Sequence, residues 1–173
     1  MTRQDLSNEA TTMLVEGDEV VMERVFDAPR ELVWTVLTSP EHVSAWWGPH
    51  GTTTTVVEME VRPGGRWRWV NNFAGGEAPF TGEYLEVVPP ERMVRTSAFD
   101  LGPEGPPALE TLTLDEVDGG TRLRWHSRFP SPEVLGFALA QGMSKGALEQ
   151  FDRIADVLVD LAPDGRSSRL QAG

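Results

Sequence analysis

"TRLRWHSRF", residues 121–129, changes chemistry at every step. Leu123, Trp125, Ser127 and Phe129 share one parity, and Arg122, Arg124, His126 and Arg128 the other. Successive side chains of a strand point to opposite faces, so this stretch predicts a strand with one face buried and one solvated. "RWRWVNNF" (66–73) divides the same way, with Trp67, Trp69 and Phe73 against Arg66, Arg68, Val70 and Asn72. Arg66, Arg68, Arg95, Arg122, Arg124 and Arg128 are expected on a solvated outer face, paired with acidic residues. His126 is expected among them.

Working outward, the same period of two runs through 52–61, 80–88, 92–99 and 109–117. The breaks between these segments are Pro63-Gly64-Gly65, Gly75-Gly76, Pro89-Pro90, a Gly/Pro-rich loop at 102–107 and Asp118-Gly119-Gly120. Short strands joined by tight turns predict an antiparallel meander. A seventh strand is read earlier, at "EVVMERVF" (19–26). Two short helices follow it, with Asp27 capping and Pro29 in the first turn of one, and Ser39 capping and Pro40 starting the other. After a short helical approach at 130–142, Met143, Ala147, Phe151, Ile154, Ala155, Leu158 and Leu161 form the stripe of a long final helix. Residues 1–18 read as a flexible polar tail, 19–161 as one domain, and 162–173 as a second flexible tail.

The class is therefore α+β, and its dimensions have a consequence. Seven strands span about 29 Å at their usual spacing, whereas one helix is about 10–12 Å across. The sheet must curl to cover the helix, which predicts a cavity between them, plugged at one end by the short helices. Trp67, Trp69, Phe73 and Trp125 would line it, joined by Phe80, Tyr84 and Phe99. An aromatic wall around a concave space suits a planar apolar ligand. "AWWGPHG" (45–51) sets Trp46 and Trp47 side by side at the expected mouth. Neighbouring residues diverge in a helix and oppose in a strand, so one ring is expected to anchor the helix and the other to face the opening. Replacing Trp47 or Trp69 by alanine is expected to weaken binding without unfolding the domain.

Composition narrows the function classes. The formal net charge is −12, which repels phosphate backbones and anionic headgroups, so neither nucleic acid nor a membrane surface is expected as a partner. No apolar run reaches the length of a membrane span. The N-terminus lacks a secretory pattern, there are no cysteines, and the default location is cytoplasmic. Of the histidines, His42, His50 and His126 have no metal-ligand spacing, and no metal or cofactor is expected. No serine lies in a nucleophile-elbow context, and no glycine pair opens a helix after a strand. His50, beside the paired tryptophans, and Tyr84, the sole tyrosine, are the candidate acid–base residues.

"FDAPRELVW", "SPEHVSAWWGP", "EMEVRPGGRWRW", "FTGEYLEVVPPERMV" and "GGTRLRW" resemble the signature segments of a family named for the activator of a heat-shock chaperone's ATPase. It lies within the START-like, helix-grip (SRPBCC) superfamily. The resemblance implies a curved seven-stranded antiparallel sheet gripping a long C-terminal helix around a deep pocket. It also implies a range of roles, among them lipid and hormone binding, polyketide cyclisation and aromatisation, resistance, and co-chaperone activity. Eukaryotic co-chaperones of this kind carry a further N-terminal domain, where this sequence has a short tail, so a chaperone partner is not expected. Many relatives have a Trp soon after the Gly that opens the long helix. Here Gly142 precedes Met143, Ser144, Lys145, Gly146 and Ala147, which is expected to widen the pocket at that end.

The reading is a carrier or sensor of a small hydrophobic, aromatic or polycyclic ligand. Its ligand-binding set is Trp46, Trp47, Trp67, Trp69, Phe73, Phe80, Phe99, Trp125, Met143 and Phe151. The alternatives are a cofactor-free cyclase or aromatase-like enzyme, using His50 and Tyr84, and a regulator of a chaperone ATPase. A homodimer is compatible with the sequence.

Overall fold

In a computed structural model, described over residues 2–162, the meander closes around one long helix. The strands are β1 (Gln4–Asp5), β2 (Thr12–Glu16), β3 (Glu19–Phe26), β4 (Thr53–Met59), β5 (Arg66–Phe73), β6 (Gly76–Val88), β7 (Arg92–Phe99), β8 (Ala108–Val117) and β9 (Gly120–Arg128). The helices are α1 (Arg30–Thr38), α2 (Pro40–Trp46), α3 (Pro132–Ala140) and α4 (Met143–Asp160). The strands form a nine-stranded antiparallel sheet in the order β1-β2-β3-β9-β8-β7-β6-β5-β4. The β3–β4 connection through α1 and α2 carries the chain to the opposite end of the sheet, and β3 pairs with β9, so the first three strands extend the β4-to-β9 meander at its β9 edge.

The sheet has nine strands where seven were expected, because residues 1–18 are not a tail throughout. Met13 and Val15 are buried and alternate with the more exposed Thr12, Leu14 and Glu16, and β2 pairs with β3 across Gly17-Asp18, with Glu16 opposite Glu19. Gly17 has φ +64°, the left-handed backbone that a two-residue hairpin requires. "VEGDEV" was thus a hairpin signal inside an otherwise polar segment. Of the C-terminal tail expected over 162–173, residues 163–173 lie outside the described residues.

The two short helices start and stop close to where proline and glycine place them. Pro29 occupies the N-cap of α1 rather than its first turn, its carbonyl accepting from Leu32 and Val33. Pro40 is the first residue of α2, behind Ser39, whose side chain makes no capping bond. Val33, Val36, Leu37, Val43 and Trp46 are buried on the sides of α1 and α2 that face the core. Phe151, Ile154 and Leu158 of α4 are buried too.

Register sets what faces inward. Met22, Trp125, Leu112 and Met93 stand opposite one another across β3, β9, β8 and β7, and all are buried. The next row, two residues along, holds Val20, Ser127, Glu110, Arg95 and Tyr84. This row corrects the expectation for Arg95. It shares the parity of Met93, not that of the outward arginines, and its side chain is 1% exposed. Arg66, Arg122, Arg124 and Arg128 are exposed and Arg68 partly so. His126 lies with them, its Nε2 2.6 Å from Glu19 Oε1.

Candidate functional site: an aromatic box around a buried arginine

The interior between sheet and helices is built from rings in mutual contact. Trp46 meets Trp47, Trp69 and Trp125 edge-on, each at a centroid distance of 6.1 Å. Trp47 lies 4.9 Å from Trp69 and 6.2 Å from Trp67, and Trp67 and Trp69 are 4.5 Å apart. Phe151 of α4 closes on Trp125 at 5.9 Å. Rings tilted or edge-to-face at these separations satisfy their quadrupoles. The space that strand curvature creates is occupied by these side chains.

Both adjacent tryptophans point inward, contrary to the expectation that they would part. Trp46 is the last residue of α2, whereas Trp47 is extended at φ −69°, ψ 131°. The backbone changes conformation between them, so neither the helical nor the strand rule governs the pair. Trp46 is anchored by its Nε1–H, which donates to the Val36 carbonyl at 2.8 Å. Trp47 reaches Phe80 at 5.4 Å. Trp47 and Trp69 are both core residues, so truncation to alanine is expected to remove packing as well as any ligand contact, where the sequence reading expected weaker binding without unfolding.

The loop that follows is clamped by α4. Gln150 accepts the Gly48 amide at 2.8 Å and Glu149 accepts the His50 amide at 3.0 Å. Arg153 donates through Nη1 to the carbonyls of Trp47, Gly48 and Pro49, and through Nη2 to that of Thr52. One guanidinium thus satisfies four carbonyls that a helix end and turn leave over. Sequence reasoning gave these α4 residues no role, because the contacts span about a hundred residues of chain.

At the centre of the box lies Arg95. Its guanidinium carbon is 4.9 Å from the Trp67 ring centre, 5.0 Å from Trp69 and 5.1 Å from Trp125. Its Nε donates to Glu110 Oε1 at 2.9 Å. Tyr84 is paired opposite Arg95 across β6 and β7 and is fully buried. Burial pushes the Tyr84 phenol above its ordinary value, opposed in part by the positive charge of Arg95. Tyr84 Oη, Arg95 Nη2 and Trp69 Nε1 are buried and have no hydrogen-bond partner among the described residues. Arg95 and Glu110 were missed as site residues, although Glu110 shares the parity of Ala108, Leu112 and Leu114 in "ALETLTL".

The remaining candidates divide by depth. Phe80 and Phe99 are half-buried and stack at 5.1 Å on the rim of the box. Met143 is half-buried at the start of α4. Phe73 has the inward parity but is 47% exposed, because it ends β5 opposite Gly76, which offers no side chain to pack against. His50 is exposed in the clamped loop, whereas Tyr84 is buried, and the structure does not bring the two together. No group of three or more potential metal ligands occurs among the described residues. A groove of about 320 Å³ lies on the other face of β2, β3 and β9, lined by Leu14, Val21, Glu19, Glu23 and Arg124, among others. It shares no residue with the aromatic box.

A curved antiparallel sheet wrapped on a long C-terminal helix, with two short helices between early strands, defines the START-like, helix-grip class. Residues 27–159 match the model of the family described as Activator of Hsp90 ATPase homolog 1-like protein. The chain belongs to that family. Its fold is similar to a Rhodobacter sphaeroides protein structure at 28% identity and TM-score 0.79, covering 88% of this chain and all of that one. A Chromobacterium violaceum protein superposes with TM-score 0.73 at 25% identity, over 85% and 99% of the two chains. A Silicibacter pomeroyi protein labelled AHSA1 shares the fold at 19% identity, with TM-score 0.67 over 81% and 96%. A search of curated proteins gave no match. Family and fold support a ligand-binding or regulatory role in general terms, and no helix among the described residues is long and apolar enough to cross a membrane.

Proposed function

We propose that this protein binds a small hydrophobic, aromatic molecule between the concave face of the sheet and α4, as a carrier or sensor. The observation that carries this reading is an aromatic path from rim to centre. Phe99 stacks on half-buried Phe80, Phe80 meets Trp47, and Trp47 meets the buried Trp69. A core needs apolar volume but has no need of a continuous run of rings ending on a buried arginine. An edge-to-face pair is worth about 0.5–1.5 kcal/mol beyond its buried area. A planar ligand that replaces such a pair recovers a similar amount, so entry by displacing Phe80 and Trp47 is nearly balanced. The test compares the native mass of the freshly purified protein with its denatured mass. A surplus lost on denaturation supports the reading and identifies the ligand. Matching masses, together with no response to any aromatic compound in a titration of the protein, would overturn it.

A second reading, a cofactor-free cyclase-like enzyme, draws on Tyr84, which burial keeps protonated beside Arg95 and so able to donate. In that case Tyr84→Phe abolishes turnover of a polyketone while leaving its binding measurable. The regulator reading has its own assay, the ATPase rate of a purified chaperone with and without this protein.

A further inference from the structure

Resting on the ligand-binding reading, we infer that Tyr84, Arg95 and Trp69 form a recognition site for one uncharged acceptor oxygen, such as the carbonyl of an aromatic ketone. Arg95 is the hub. It pairs directly with Tyr84 across two strands, and its guanidinium carbon lies 5.0 Å from the Trp69 ring centre. Around it, Arg95 Nη2, Tyr84 Oη and Trp69 Nε1 are buried with no close hydrogen bond among the described residues, and Arg95 approaches the Tyr84 phenol as a donor near enough to hold its proton affinity down in part. A buried donor left unmade costs about 1–3 kcal/mol, so the phenol O–H and the indole N–H beside Arg95 are a substantial unmet demand in one neighbourhood.

The donor set selects the ligand's chemistry. An indole N–H and a guanidinium N–H can only donate, and a protonated phenol can donate as well. With Arg95 directed at the phenol oxygen, the phenol O–H and the indole N–H remain, and one acceptor with two lone pairs meets both. Its charge is set by Glu110, which already neutralises Arg95 at 2.9 Å. A carboxylate placed here would leave the Arg95–Glu110–ligand group with a net negative charge in the interior, at a desolvation penalty. An uncharged carbonyl meets the donors without that penalty. The flanking tryptophans supply faces and edges for the ring that bears it.

The probes are indane, 1-indanone and indane-1-carboxylate, three bicyclic molecules of similar size, titrated into the intact protein by calorimetry and by indole N–H NMR. 1-Indanone is expected to bind at least about tenfold more tightly than indane, and more tightly than the carboxylate. In Tyr84→Phe the advantage, taken as the ratio of the 1-indanone and indane affinities measured in that same variant, shrinks severalfold. The Trp69 indole N–H resonance, assigned by its loss in Trp69→Phe, moves downfield with 1-indanone and not with indane. The wild-type comparison decides the matter even if Tyr84→Phe fails to fold. Equal affinities for indane and 1-indanone, an advantage unchanged by Tyr84→Phe, or an unmoved Trp69 resonance would overturn the acceptor site and assign its donors to a bound water. Tighter binding of the carboxylate overturns the claim that the acceptor is uncharged. Binding of none of the three removes the ligand reading itself, and the acceptor site with it.

Discussion

Arg95 and Glu110 form an ion pair at 2.9 Å inside a wall of tryptophans, directly opposite one another on β7 and β8. Such a pair is compensated only while both members are present. Arg95→Met leaves a buried carboxylate alone and is expected to cost about 3–5 kcal/mol. The double variant Arg95→Met/Glu110→Leu removes both charges and should recover most of that loss. Urea unfolding of the two variants and the parent checks this. A double variant as unstable as the single one would show that the pair is not the source of the effect.

Tyr84 is the only tyrosine, so tyrosinate absorbance reports on it alone. Its folded-state phenol is raised above the ordinary value of 10.0, mainly by burial. The unfolded chain therefore releases this proton at lower pH than the folded one. The stability contributed is fully present below pH 10 and is lost as pH rises from there through the folded value. In a titration of the folded protein the absorbance should stay flat past pH 10, then rise as the protein unfolds. Tyr84→Phe should flatten the alkaline decline of stability. A normal phenol titration in the folded state would contradict the burial assigned to Tyr84.

Arg153 holds the loop after α2 through four carbonyls. Arg153→Ala should destabilise the protein by about 2 kcal/mol, the scale of hydrogen bonds to a charged group. Amide exchange should accelerate in the loop around Gly48 and His50. Lysine restores the charge but not the planar fork, so Arg153→Lys should recover only part of the protection. Full recovery with lysine would mean that charge, not geometry, holds the loop.

Gly82 stands opposite Trp67 on the neighbouring strand. A Cβ there would run into the Thr96 carbonyl oxygen and Trp67 Nε1. That nitrogen donates to the same carbonyl at 3.2 Å. Gly82→Ala should therefore displace the Trp67 ring and cost about 3 kcal/mol, the upper end for overpacking. The Tm and near-UV circular dichroism should both fall. A Tm within experimental error of the parent would refute the close approach.

The seven main strands, the four helices and the parity of most inward residues follow from the sequence, because period two and period 3.6 are local properties of a half-buried element. The family follows too, since its signature segments fall on turns, helix starts and aromatic strands. Three features needed the tertiary structure. The backbone bends between Trp46 and Trp47, so two neighbours that no regular element could align meet in one cluster. Arg153, Gln150 and Glu149 find their partners about a hundred residues away. Arg95 shares the parity of Met93, which puts it on the inner face, but only register with Tyr84 and Glu110 reveals it as the buried hub. Periodicity assigns a side chain to a face. Which charges share that face, and whether they meet a partner or a ligand there, is decided by strand pairing, because pairing alone brings together residues far apart in the chain.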